Sequence, residues 1–315
     1  MEFPAEVQNR INELAEGLEL KVLKTAAERL SENYRAESSG GKRGAVSKTD
    51  VITYAAVRMA ATFAAVSKTL ELSLARFGGE ITSILDVGAG TGAGAIAAAR
   101  LCGCENVTCI EREENMLALG RELCGAADVS SAWENGDISQ GIERRADLVI
   151  CSYCLNELPE AQRENAVKSL AGAAGKLLVI VEPGTPFAFA GLKKTRQTLI
   201  ESGFGIAAPC PHENECPLPE DDWCHFTARA QRSKLHKMLK NADIPYEDEK
   251  FCFVAAARGD FTPCAARVLR KPQIQSGFVT LKLCGEDGIK SETITKKSPL
   301  FKAARKAEHG GELPL

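Results

Sequence analysis

Apolar residues at helical spacing open the chain. Ile11, Leu14, Leu18 and Val22 predict helix from Met1 to about Asn33, and a second helical stretch is predicted from about Asp50 through YAAVRMAATFAAVSKTLELSL. Between them ESSGGKRGAVSKT reads as a Gly/Ser loop bearing Lys42, Arg43 and Lys48. From Ile81 the period changes: the β-rich apolar runs ITSILDVGAG, NVTCIERE, ADLVICSYCL and KLLVIVEPG alternate with helical ones. That alternation is the mark of an α/β doubly wound parallel sheet. Further on, ARAQRSKLHKMLKNA reads as helix, KFCFVAAARGD as a strand, and GFVTLKLCGEDGIKSETI as a hairpin turning near Glu286 to Gly288. The divisions this predicts are an N-terminal helical region (1–75), an α/β domain (76–262), a C-terminal β-hairpin extension (263–306) and a tail (307–315). No internal repeat is visible.

One stretch fits neither period. PCPHENECPLPEDDWCHF, Pro209 to Phe226, holds three cysteines, two histidines and four prolines. Proline fixes φ and removes a backbone donor, so this segment is a loop and neither a helix nor an inner strand. Loops of such length inside a domain usually carry a function. Cys210, Cys216 and Cys224 are open to three readings: disulfide partners, metal ligands, or clustered small hydrophobes.

Composition narrows the class. With 315 residues, 44% hydrophobic and 26% charged, the chain has the make-up of a globular protein. No apolar run approaches the roughly 20 residues of a membrane span. No basic segment followed by an apolar core marks a secretory signal, so a cytoplasmic address is expected and no membrane partner. Twelve cysteines in a reducing compartment favour metal or cluster ligation over disulfides. Most, such as Cys102, Cys109 and Cys151, lie in apolar stretches and read as core filler. Charge is uneven: residues 81–266 carry 26 acids against 18 bases, whereas 267–306 carry ten bases against three acids, a net of +7. A basic segment on an acidic body suggests a polyanionic partner, RNA being the commonest; a merely solvated tail is the alternative.

The most informative chemistry is LDVGAGTGAGAIAAA. Gly88, Gly90 and Gly92 follow a strand ending near Asp86 and precede an Ala-rich helix from about Ala93, so the backbone turns tightly and can approach a ligand at a helix N-terminus. Glu111 ends the next strand, about 20 residues on, where a carboxylate can hold both hydroxyls of a ribose. Asp137 in ENGDI stands where the third strand's loop would meet an adenine. The pattern, with Asp before the glycines, resembles class I S-adenosylmethionine-dependent methyltransferases (Rossmann-like) and not a nicotinamide fingerprint; Asp86 could hold the ligand's ammonium through water. Catalytic residues are less legible. The Asn/Asp-Pro-Pro-aromatic motif of amino-methylating enzymes is replaced by CSYCLNELPE, and Pro209–Cys210, a superficial match to a thiolate nucleophile, belongs to the cysteine-dense loop. Asn156 and Glu157, just past the fourth strand, are the candidates for substrate or cofactor contact; capping the helix that begins near Pro159 is the other reading.

Taken together, TYAAVRMAATFAA, LDVGAGTGAG, CSYCLNEL, VIVEPGTPFAF, CPHENECPL, WCHF and GFVTLKLC resemble the family of methyltransferase-like proteins associated with the mitochondrial small ribosomal subunit. The likeness runs from about Tyr34 to Lys297. It departs at Met59–Ala60, where the family commonly has an apolar residue and proline. The resemblance implies an S-adenosylmethionine-binding fold, an iron–sulfur cluster and work on the small ribosomal subunit and its rRNA during assembly. On it, Cys210, Cys216 and Cys224 match three clustered ligands and Cys284 the fourth. Four thiolates suit a [4Fe–4S] cluster or tetrahedral zinc, and the resemblance favours the first. His212 and His225 are expected beside the ligands. Two activities remain open: an rRNA methyltransferase, iron–sulfur or zinc-stapled, or a non-catalytic RNA-binding assembly factor that retains the cofactor pocket.

Overall fold

In the computed structural model, residues 1–35 and 47–314 are described; Lys42 and Arg43 of the predicted loop fall outside them. The N-terminal helix divides in two, α1 (Ala5–Glu16) and α2 (Leu20–Arg35), because Gly17 caps the first and Leu18 N–H turns back to Ala15. The break shifts the helical register. Val7, Ile11 and Ala15 are buried on α1, and Leu23, Ala27 and Leu30 on α2, while Val22 is exposed, against the single periodicity that joined it to Ile11.

The next helical stretch forms as predicted. α3 (Lys48–Tyr54) starts at a capping box in which Ser47 and Asp50 exchange side-chain and backbone hydrogen bonds. A π-turn (Ala55–Met59) leads into α4 (Ala60–Leu74), which buries Phe63, Val66 and Leu70.

Strands and helices then alternate: β1 (Ile84–Val87), α5 (Ala93–Cys102), β2 (Val107–Glu111), α6 (Glu114–Ala126), β3 (Ser131–Asn135), β4 (Ala146–Ser152), α7 (Glu160–Ala173), β5 (Ala174–Pro183), α8 (Pro186–Glu201) and β6 (Gly205–Ala208). After the cysteine loop come β7 (Phe226–Gln231), α9 (Lys234–Lys240) and β8 (Tyr246–Ala257). The sheet order is β3-β2-β1-β4-β5-β8-β6, with β7 pairing the first half of β8. β1 to β5 are parallel, and β8 runs antiparallel to its neighbours. Strand order reverses between β1 and β4, so the crevice beyond their carboxyl ends is where a ligand binds in such sheets.

The expected helix over ARAQRSKLHKMLKNA forms only over Lys234–Lys240; its first four residues are strand. Phe226, Ala228 and Ala230 are buried in alternation with exposed neighbours as β7 pairs with β8, and Ser233 caps α9. Period two wins here because long β8 offers an unpaired edge.

The C-terminal residues form a second sheet: β9 (Ala266–Val268), β10 (Gln273–Ile274), β11 (Phe278–Gly285), β12 (Gly288–Thr295), α10 (Phe301–Lys306) and β13 (Glu312–Leu313). The hairpin turns where expected, through Glu286–Asp287, with Gly288 at φ +100°. β13 pairs with β9, so the residues expected as a tail close the sheet. Val279, Leu281, Leu283, Ile294 and Ala304 make its core.

Candidate functional site

At the switch point, Gly88 (φ +70°) and Gly90 (φ +55°) turn the chain out of β1 in the left-handed region where glycine is at ease. A Cβ on Gly88 would come 2.7 Å from Cys154 Sγ. Gly90 N–H donates to Glu111 Oε2 at 2.8 Å and Glu113 N–H to Glu111 Oε1 at 2.9 Å, so Glu111 fixes the glycine loop. Burial pushes the Glu111 carboxyl above its ordinary value, against the lowering effect of those amides.

Asp86 is wholly buried. Its Oδ2 accepts from Ala95 N–H at 2.8 Å, its Oδ1 has no partner among the described residues, and burial raises its pKa to about 7. Gly92 packs on Cys124 and Trp133. Asp137 Oδ1 accepts from Ser139 N–H at 2.8 Å. Its burial works upward, but the Ser139 hydrogen bonds and Arg112 outweigh it and leave the carboxyl below its ordinary range.

Gly88, Gly90, Glu111, Asp137 and Glu157 line one cavity of about 110 Å³. Leu30 of α2 and Tyr54 of α3 cover it, so the N-terminal helices complete the wall. The Arg112 guanidinium stands between Asp137 (3.8 Å) and Glu157 (3.6 Å), and burial raises Glu157 to about 7. Asn156 is not among the lining residues: its carbonyl accepts from Arg163, and its side chain lies by Gly191. Of the two predicted candidates, then, only Glu157 faces the cavity.

Sequence reasoning missed Tyr153. It sits at φ +57°, in a region an aromatic residue rarely adopts, held by its N–H to Val181 O at 2.7 Å. Its hydroxyl donates to Glu249 at 3.0 Å, which Arg58 grips with both guanidinium nitrogens at 2.9 and 3.1 Å. Nothing in a single sequence marks such a residue beyond its place at the end of β4.

The second constellation is the cysteine loop. Cys210, Cys216, Cys224 and Cys284 line one cavity of about 50 Å³ together with Arg196 and Arg267. Burial first, then the neighbouring cysteines, raise the Cys284 thiol to about 12 and Cys224 further. Arg267, 1% exposed, donates to Pro209 O and Gly310 O and pairs with Glu312. Asp222 takes both Arg270 and Lys282, and Trp223 Nε1 donates to Gly184 O at 3.0 Å.

His212 Nε2 lies 3.6 Å from Cys284 Sγ, whereas His225 stacks on Trp223. Two further cysteines follow the loop and lie close by: Cys252 donates to Pro183 O and Cys264, 3% exposed, to Pro209 O. Among the described residues, no group of three or more His, Cys, Asp or Glu stands ready to hold a metal ion.

The chain matches the family described as mitochondrial small ribosomal subunit Rsm22 over residues 48–314. It belongs to that family. This Rsm22-family chain is 27% identical over 296 residues to the human protein named ribosome assembly protein METTL17, mitochondrial, in an alignment taking in 84% of the chain. It spans 62% of that relative's length. Among solved structures it is similar to magnesium protoporphyrin IX methyltransferase of Synechocystis PCC 6803 (16% identity, TM-score 0.43, 65% of this chain and 85% of the other). The N-methyltransferase NodS of Bradyrhizobium japonicum is comparable (14% identity, TM-score 0.41, 62% and 86%). No helix among the described residues of this Rsm22-family chain is long and apolar enough to cross a membrane.

Proposed function

We propose that the chain binds S-adenosylmethionine in the cavity beyond β1 and β4, holds a [4Fe–4S] cluster on its four loop and hairpin cysteines, and acts on small-subunit rRNA during ribosome assembly. The observation that carries the first part is the unpartnered Asp86 Oδ1. A buried carboxyl oxygen without a partner beside a glycine loop is costly, and a cationic ligand offsets that cost. Asp86, buried behind the cavity lining, would hold the ammonium through water; Glu111 would turn to the ribose, Asp137 to the adenine, and Gly88, Gly90 and Gly92 would admit the ligand's close approach. S-adenosylmethionine supplies a methyl group on a cationic sulfur, and the acidic lining of Glu111, Glu113, Asp137 and Glu157 suits that charge.

Four thiols line one buried cavity with two guanidiniums beside them, which is the donor type of a cluster, although among the described residues they are not gathered into a ready ligand group. Burial raises the Cys284 and Cys224 thiols, so a bound metal would have to supply the charge that deprotonates them. Zinc on the same cysteines is the alternative. The ribosomal role rests on the family and on the human relative's name. The cytoplasmic setting stays part of the proposal, although that relative is named as mitochondrial.

A second reading, an assembly factor without turnover, is favoured by Asn156 facing away from the cavity and by Arg112 engaging Glu157. A labelled-methyl transfer assay on 30S particles from a strain lacking the protein separates the two. Transfer by wild type that Asp86→Ala abolishes supports the enzyme; no transfer despite S-adenosylmethionine binding supports the assembly factor.

A further inference from the structure

The basic C-terminal segment divides into two unlike ends. At the end near the cysteine loop its cations are engaged: Arg267 with Glu312, and Arg270 and Lys282 with Asp222; part-way along β12, Lys290 sits 3.3 Å from Glu292. Lys271, Lys296, Lys297, Lys302, Arg305 and Lys306 make no ion pair among the described residues. The net charge read from the sequence is therefore concentrated away from the cysteines.

Side chains of β11 alternate between two faces. Val279, Leu281 and Leu283 are buried under the small sheet's core. On the opposite face lie Phe278, Thr280, Lys282 and Cys284, paired across the hairpin with Thr295, Thr293, Ser291 and Ile289. The Cys284 end of this face meets the cysteine loop. The far end does not: Phe278 is 39% exposed beside hydroxyls, of which Thr280 and Thr293 bond to each other at 3.2 Å. Lys296 and Lys297 follow Thr295 directly, and Lys296 N–H bonds Gly277 O, which holds the lysine turn against the base of Phe278.

We infer that this open end of the hairpin, opposite its turn, binds single-stranded RNA, with a base stacked on Phe278 and the adjoining phosphates on Lys296 and Lys297. The inference rests on the proposed action on RNA and names where it makes contact. An aromatic ring on a hydroxyl-bearing strand face, flanked by lysines without counter-ions, is the combination that stacks bases without sequence readout. Protein interfaces, by contrast, are depleted of lysine at their centre.

The test is fluorescence anisotropy of the full chain with a fluorescein-labelled single-stranded RNA of about ten nucleotides. Phe278→Ala should weaken binding by about 5- to 150-fold, while Phe278→Tyr keeps it; thermal melting checks that each variant folds. Lys296→Ala with Lys297→Ala should flatten the slope of log affinity against log salt by about 1.4. Binding by wild type that none of these variants alters overturns the Phe278 site while leaving the RNA reading standing. Variants that weaken capture of a small-subunit ribosomal protein but not RNA also overturn it. No binding by wild type at low salt ends the RNA reading and the Phe278 site with it.

Discussion

The cavity at the switch point and the cysteine cavity lie on the same large sheet but are built in opposite ways. The first draws its polar lining from consecutive strand ends, Glu111 and Asp137, above the wholly buried Asp86, each carboxylate fixed by a backbone amide within nine residues or one crossover. The second joins a loop at 209–226 to a strand reached only at Cys284, and Arg267 and Asp222 hold the two together. A local site depends on its glycines and caps. A site closed over long range depends on its clamps.

The clamp should therefore be the most sensitive point. Arg267→Ala removes the buried donor to Pro209 O and Gly310 O and one of the two arginines on Glu312, Arg76 being the other, and should cost about 2–6 kcal/mol, read by chemical denaturation. S-adenosylmethionine affinity of the protein that still folds should be little changed. A variant as stable as wild type would show that the loop and small sheet are joined otherwise.

The complementary change is Glu111→Ala. It removes the proposed ribose contact and the support of the Gly90 amide, and should weaken S-adenosylmethionine by about 1.5–3 kcal/mol in calorimetry with the cysteine site intact. Unchanged affinity would remove the assigned pocket.

A smaller effect sits between the two sites. Glu182 on β5 accepts from Leu155 N–H at 2.9 Å and faces Cys252 across the sheet, and burial raises it from 4.5 to about 8. The folded protein thus keeps a proton the unfolded chain releases. Stability should fall as pH rises from about 4.5 through 8, and Glu182→Gln should flatten that decline. An identical slope in the variant would assign the proton elsewhere, Asp86 being the next group.

Legibility in the sequence followed the same division. The glycine loop, Glu111, the parallel strands and the hairpin turn were readable because each is set by local spacing. β7 was not, since ARAQ becomes strand only against β8, far along the chain. Nor could the sequence show that Arg267, Arg270 and Lys282 are engaged internally, which leaves Lys296 and Lys297 at the open end of the hairpin as unpaired charge among the described residues. Asn156 and Glu157 are neighbours in the chain, yet only the fold decides which faces the cavity.

Iron analysis of anaerobically purified protein tests the account most directly, because it asks whether four cysteines from two distant segments form one site. About four irons per chain are expected in wild type and in Cys264→Ser, and none in Cys284→Ser. Iron retained in Cys284→Ser and lost in Cys264→Ser would contradict the ligand set, and stoichiometric zinc in colourless wild-type protein would contradict the cluster.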